Sequence, residues 1–164
     1  MHALNTILEK KLLAEKINQY IVHTPSIARK AKAGQFVILR LSDGGERVPL
    51  TIVDHDAEKG TITLIVQTVG KSTKMLDEIE PGEAIQDVLG PLGNPSEIEN
   101  FGRVAVIGGG VGAAVAFPVA KALKLAGNHV TAIVGVRNKD LIILKPELEQ
   151  VTDRLLLTTD DGSY

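Results

Sequence analysis

The chain has 164 residues, a formal net charge of −2 and no cysteine, which is room for one domain or two small ones with a real core. The missing thiols exclude a disulfide, a thiolate zinc site or an all-cysteine iron–sulfur cluster built from this chain alone, and the near-neutral charge leaves no electrostatic footprint for nucleic acid. No apolar run is long enough to span a membrane, and residues 1–16 lack the apolar stretch and cleavage site of a signal peptide, so a cytoplasmic protein without a membrane partner is expected.

Residues 5–16 combine alternation at Ile7, Glu9 and Lys11 with a helix-forming composition, and strand is the reading taken. The charges of 9–16 and 29–32 are interrupted by apolar or acidic residues and read as solvated faces. Strands are expected at 35–41, 48–53, 61–68 and 84–89. The turns between them are 42–46, 54–60 and Pro81-Gly82, and one or two helical turns are expected at 72–79. Short strands at this spacing point to an antiparallel barrel or sandwich. Gly90-Pro91-Leu92-Gly93-Asn94-Pro95 is the natural boundary, because two prolines and two glycines in six residues punctuate strongly. Beyond it the pattern changes to strand 103–108, helix 112–126, strand 129–136, helix about 139–150 and strand 154–159. That alternation is the signature of a parallel sheet with crossover helices.

Three segments carry candidate chemistry. Gly108, Gly110 and Ala113 fit G-x-G-x-x-A between a strand and a helix. Glycines there permit positive φ and close backbone approach, and exposed helix N–H groups meet phosphate; the alternative is a bare tight turn. Gly70-Lys71-Ser72-Thr73 offers N–H groups and hydroxyls to an anion, or is a plain helix cap. Arg47-Val48-Pro49-Leu50-Thr51 places an Arg and a Thr around a proline at the start of a strand, unremarkable by itself. The second parallel strand ends at Arg137, which faces a ribose 2′-phosphate, lies under an adenine, or caps the sheet edge in solvent; NADH against NADPH stays open. His2, His23, His55 and His129 have no ligand spacing and are read as structural or solvated, with no metal site.

Taken in order, Gly34-Gln35-Phe36-Val37, Arg47 to Thr51, Gly70 to Thr73, Gly90-Pro91-Leu92-Gly93 and Val106 to Gly112 resemble the ferredoxin–NADP reductase superfamily over essentially the whole chain. Within it the resemblance is to the small electron-transfer subunits of NADH-dependent ferredoxin–NADP oxidoreductase and of dihydroorotate dehydrogenase. It implies an N-terminal antiparallel flavin-binding β-barrel of six strands over 1–95, then a Rossmann-like parallel-sheet NAD(P)-binding domain over 101–164. It further implies FAD and NAD(P)H as cofactors, a larger flavoprotein or iron–sulfur subunit as partner, and ferredoxin or a similar acceptor. By the same resemblance Thr51 is the catalytic group, hydrogen-bonding near flavin N5 with Pro49 and Leu50 beside it, and Arg47 neutralises a cofactor phosphate. Gly70, Lys71, Ser72 and Thr73 cradle the FAD pyrophosphate. Gly108, Gly109, Gly110, Val111 and Gly112 approach NAD(P)H, with Arg137, Asp160 and Asp161 contacting the nucleotide.

The chain departs from the superfamily in three ways. Arg47 and Thr51 are four residues apart rather than three, and Leu50 stands where an aromatic is common. The family's remaining sheet strands and cysteine-rich [2Fe–2S] segment are not in this sequence, so a C-terminally truncated domain with an exposed sheet edge, prone to homo-oligomerise, is expected. A non-catalytic flavin-binding or docking fragment is the alternative reading.

Overall fold

Alternation of apolar and polar residues builds the first of two compact units, which ends at Pro95; the second is Ser96–Tyr164. The computed structural model describes residues 2–164. In the first unit β1 (Ile7–Ala14), β2 (Ile17–His23), α1 (Pro25–Ala28), β3 (Phe36–Arg40), β4 (Arg47–Thr51), β5 (Asp54–Asp56), β6 (Thr61–Gln67), α2 (Lys71–Asp77) and β7 (Asp87–Leu92) follow one another. The strands form two antiparallel sheets, β1-β2-β6-β5 and β4-β3-β7. Their inward side chains, among them Tyr20, Val22, Val37, Leu39, Ile62 and Leu64, make one core together with Ile85 from the segment before β7.

Four differences from the sequence reading have physical causes. The strand Ile17–His23 was not anticipated, because Asn18 occupies an inward position and breaks the apolar alternation. Residues 54–56 pair with β6 instead of turning, giving seven strands rather than six; so short and polar a strand is tolerated at a sheet edge. The last strand runs Asp87–Leu92, not 84–89, and takes in Gly90 and Pro91. Proline is accommodated because β7 is an edge strand paired only with β3. In the second unit the helix expected from 139 is a 3-10 turn at Lys139–Leu141 and a separate helix from Lys145, because Pro146 belongs in a first turn and not in a helix interior.

Asn18 has a reason to be inside. Its Nδ2 donates to Asp77 Oδ1 at 2.9 Å, the Tyr20 hydroxyl reaches the same oxygen at 3.4 Å, and Lys10 Nζ lies 3.3 Å away. Lys10 Nζ also meets the Asp77 carbonyl and, at 3.1 Å, Glu80. Burial and then the Asp77 carboxylate push the Tyr20 phenol's pKa up, so it remains a donor. This network pins the C-terminal end of α2 to β1 and β2. Asp77→Ala is expected to cost about 2 kcal/mol in urea unfolding, since it leaves buried donors unpaired; a loss below about 0.5 kcal/mol, typical of plain surface changes, would show the network idle.

The second unit contains β8 (Arg103–Gly109), a 3-10 turn (Gly110–Gly112), α3 (Ala113–Leu125), β9 (His129–Val136), α4 (Lys145–Val151) and β10 (Arg154–Thr159). The three strands are parallel in the order β10-β9-β8. Val130 packs with Ala120 and Leu123 of α3 and with Val104 and Val106. On the other face Ile107, Ile133 and Leu156 stand in register, and Ile107 is 72% exposed. Asn128, itself buried, accepts from Phe101 N at 2.7 Å and donates to the Glu99 and Leu123 carbonyls, closing the turn into β9.

Candidate functional site

Register decides what the outer face of the β4-β3-β7 sheet presents. Residues two apart on a strand share a face, and the pairings Arg47↔Arg40↔Asp87 and Pro49↔Ile38↔Leu89 place six side chains in two rows, which Thr51 and Phe36 continue, with Leu92 paired to Phe36 beyond a register shift in β7. Arg40 is held by Asp87 (Nε to Oδ2 2.6 Å). Among the described residues Arg47 makes no ion pair, and the Thr51 hydroxyl has no protein partner. Beside the cationic row lies a groove of about 360 Å³ lined by Asn5, Ile38, Arg40, Arg47, Asp87, Val88 and Leu89. Leu50 lies on the opposite face, opposite buried Val37 and against the core.

A second groove, about 250 Å³, is lined by Leu41, Ser42, Gly44, Gly45, Glu46, Lys71, Ser72 and Met75. Neighbours in sequence, Glu46 and Arg47 thus line different grooves. Ser72 Oγ donates to Glu46 Oε2. Thr73 is fully engaged: its Oγ1 accepts from Val69 N and Gly70 N and donates to Gly70 O, so it builds the turn into α2 and leaves Ser72 and Lys71 as the groups facing the groove. A Cβ at Gly70 would meet nothing within 4 Å. Each groove is near or below the lower end of ligand pockets, enough for part of a dinucleotide.

In the second unit the predicted residues gather at the carboxyl edge of the parallel sheet, where open α/β sheets bind ligands. Gly108 is buried, and a Cβ there would sit 3.0 Å from Ala113 Cα, Ala113 N and Gly112 O, so the turn requires glycine. At Gly109, Gly110 and Gly112 a Cβ would meet nothing within 4 Å; Gly110 has φ +56°. This backbone is open to a ligand, with Val111 half-buried beside it. Asp160 N donates to Val136 O and Asp161 N to Arg137 O, which brings the ends of β9 and β10 together. The Asp161 carboxyl is drawn below its ordinary pKa by hydrogen bonds from Ser163, so it closes a turn. The Arg137 guanidinium and Asp160 carboxylate have no protein partner among the described residues.

Residues 5–96 match the family described as Oxidoreductase FAD-binding domain, and the chain belongs to that family. It is 49% identical over 98% of its length to the dihydroorotate dehydrogenase B (NAD(+)) electron transfer subunit homolog of Thermotoga maritima, covering 57% of that protein. It is 32% identical over 97% of its length to the dihydroorotate dehydrogenase B electron transfer subunit of Streptococcus mutans, covering 62% of it. Among solved structures, one of NADH-dependent reduced ferredoxin–NADP oxidoreductase, described in connection with flavin-based electron bifurcation, superposes with TM-score 0.92 at 48% identity, covering 98% of this chain and 58% of that one. Phthalate dioxygenase reductase shares the fold at 18% identity and TM-score 0.77, covering 96% of this chain and 51% of that one. The chain therefore spans about three fifths of the length of the curated relatives it matches.

Sequence reasoning missed Arg40, Asp87, Ile38 and Leu89. Their part depends on which residues stand opposite Arg47 and Pro49, and motif spacing carries no register. Among the described residues no cluster of His, Asp and Glu could hold a metal, and none of the helices is long and apolar enough to cross a membrane. His2 and His23 do meet, edge to face at 5.9 Å.

Proposed function

We propose that the first unit holds FAD and the second NAD(P)H, in a flavin-dependent electron-transfer subunit serving a larger flavoprotein or iron–sulfur partner, with ferredoxin or a similar carrier as acceptor. The carrying observation is the match of residues 5–96 to the FAD-binding family. The residues present fit the cofactor. An unpartnered hydroxyl at Thr51 and an unpaired guanidinium at Arg47 share one open face, and Thr68 Oγ1, two residues before Gly70, is buried without a partner.

When bound, the flavin supplies hydride acceptance and stepwise electron release; the protein orients it and sets its electrostatics. Thr51 donates a hydrogen bond at the redox end, Arg47 balances phosphate charge, and Pro49 gives a rigid apolar floor without an N–H. Gly109, Gly110 and Gly112 would let the dinucleotide phosphates approach the backbone at the start of α3, where the Ala113 N–H is already spent on the Gly110 carbonyl. The dihydroorotate dehydrogenase electron-transfer role uses the same two sites and differs in the electron-exchanging partner.

The test is direct. Purified chain supplied with FAD should retain yellow colour through gel filtration, and NADH should bleach it without oxygen. A chain that retains no FAD overturns the reading, and a yellow chain indifferent to both NADH and NADPH leaves only the flavin half standing. Thr51→Val should slow that bleaching about tenfold, the upper end for one lost hydrogen bond, and Thr51→Ser should restore it.

A further inference from the structure

We infer that Gln35 is a positioning residue for the flavin-facing end of the β4-β3-β7 sheet, an inference that rests on the FAD reading above. The side chain is buried, with 9% of its surface exposed. Its Oε1 accepts from Lys32 N at 3.0 Å and its Nε2 donates to Gly93 O at 2.9 Å, which assigns the amide orientation uniquely. Its own carbonyl accepts from Ile52 N at 3.0 Å. One residue therefore ties the turn before β3 to the ends of β4 and β7.

The tied residues are the neighbours of the row that matters. Gln35 precedes Phe36, Ile52 follows Thr51 and Gly93 follows Leu92, while Thr51, Phe36 and Leu92 stand abreast. Gly93 is fixed from a second side. Its φ is +80°, and a Cβ there would lie 2.9 Å from Phe36 Cε1, so the Phe36 ring closes over it. The Gly93 carbonyl can meet the Gln35 amide only while Gly93 keeps that conformation. Loss of the amide removes the tie between the turn before β3 and the end of β7 and lets Leu92 and Phe36, in the row that ends at Thr51, shift, because β7 is an edge strand with no other neighbour in that sheet. The Ile52 N bond to the Gln35 carbonyl is main chain and survives. A misplacement of this kind degrades the hydrogen-bond geometry at a cofactor without removing any group that touches it.

The experiment compares Gln35→Met, Gln35→Glu and Asn128→Leu with the natural chain. Gln35→Met keeps the length and loses both side-chain bonds. Gln35→Glu keeps the acceptor for Lys32 N but sets a carboxylate oxygen against the Gly93 carbonyl, so it strikes the β7 tie alone. Asn128 is a buried amide of the second unit whose side chain makes three hydrogen bonds, one more than that of Gln35, and its loss reports mere destabilisation. The readouts are FAD dissociation constant, reduction potential of the bound flavin and melting temperature without FAD. Both Gln35 variants should weaken FAD binding about tenfold, as for a net hydrogen bond or two, and shift the potential. Asn128→Leu should lower the melting temperature while leaving affinity and potential unchanged.

Gln35 variants with natural affinity and potential overturn the inference while leaving the FAD reading intact. Equal flavin effects from Asn128→Leu also overturn it, since the role is then general stability. A natural chain that binds no FAD removes the FAD reading, and this inference falls with it. Should Gln35→Met not fold, Gln35→Glu alone decides.

Discussion

Gly108→Val is expected to be the most damaging single substitution in the second unit, costing about 3 kcal/mol by the overpacking of a tight site. The three atoms that a side chain at Gly108 would meet at 3.0 Å are all backbone, namely Ala113 Cα, Ala113 N and Gly112 O. No rotamer change relieves them. The end of β8 and the start of α3 must separate, and the buried contacts of Ala113, which is fully inaccessible, go with them. A few kcal/mol is a large share of the stability of any small domain, so a separate low-temperature transition should appear in calorimetry. Gly109→Ala is the matched contrast. Gly109 has φ −109° and open space where a methyl would project, so the fold should be untouched. On the proposed function that methyl stands where the nucleotide phosphates approach, and NADH affinity should fall about tenfold or more, as when a polar contact is lost without replacement. Wild-type NADH binding by a stably folded Gly109→Ala would place the dinucleotide elsewhere.

The contrast between those two glycines shows what could be read from the chain and what could not. Strand, glycine turn and helix over 103–126 are legible because period, composition and turn chemistry agree there, and β3, β6, β9 and β10 are legible for the same reason. Ile17–His23 is illegible because Asn18 serves Asp77 rather than the alternation, and that partner lies 59 residues away. Gly90 to Pro95 reads as a boundary segment on turn chemistry alone; strand pairing absorbs its first residues, Gly90 and Pro91, at a sheet edge, and the first unit ends at Pro95. For the candidate site, motifs located residues but not faces. Thr73 looks like an anion ligand in sequence and is used up as a cap. Gln35 is legible as part of a motif, but that its amide joins the turn before β3 to the end of β7 is not.

The four-residue spacing of Arg47 and Thr51 acquires a meaning through the same logic. On a strand, three residues apart is opposite faces and four apart is one face. In this chain Arg47 therefore stands with Thr51 and Pro49, on the groove that holds Arg40 and Asp87, and not with Lys71 and Ser72. The two grooves differ in charge. Two arginines face one aspartate in the first; one lysine faces one glutamate in the second, where Glu46 already occupies the Ser72 hydroxyl.

An anionic cofactor should therefore depend on Arg47 more than on Lys71. Arg47→Ala is expected to weaken FAD binding about tenfold to a hundredfold, the range for one or two charge-assisted hydrogen bonds. Lys71→Ala should cost less than about threefold, because its exposed ammonium is offset by Glu46 and screened by salt. Arg47→Lys keeps the charge but loses the bidentate fork, so it should recover only part of the affinity. Isothermal titration of FAD into each variant at low and high salt measures all three, and the Arg47 penalty should shrink as ionic strength rises. The opposite order, with Lys71→Ala the costlier change, would move the cofactor's phosphates to the groove of Ser72 and leave Arg47 to serve the partner subunit or nothing. That outcome would also relieve Thr51 of sharing its face with a phosphate-binding group, making the sheet face a platform for the isoalloxazine end alone.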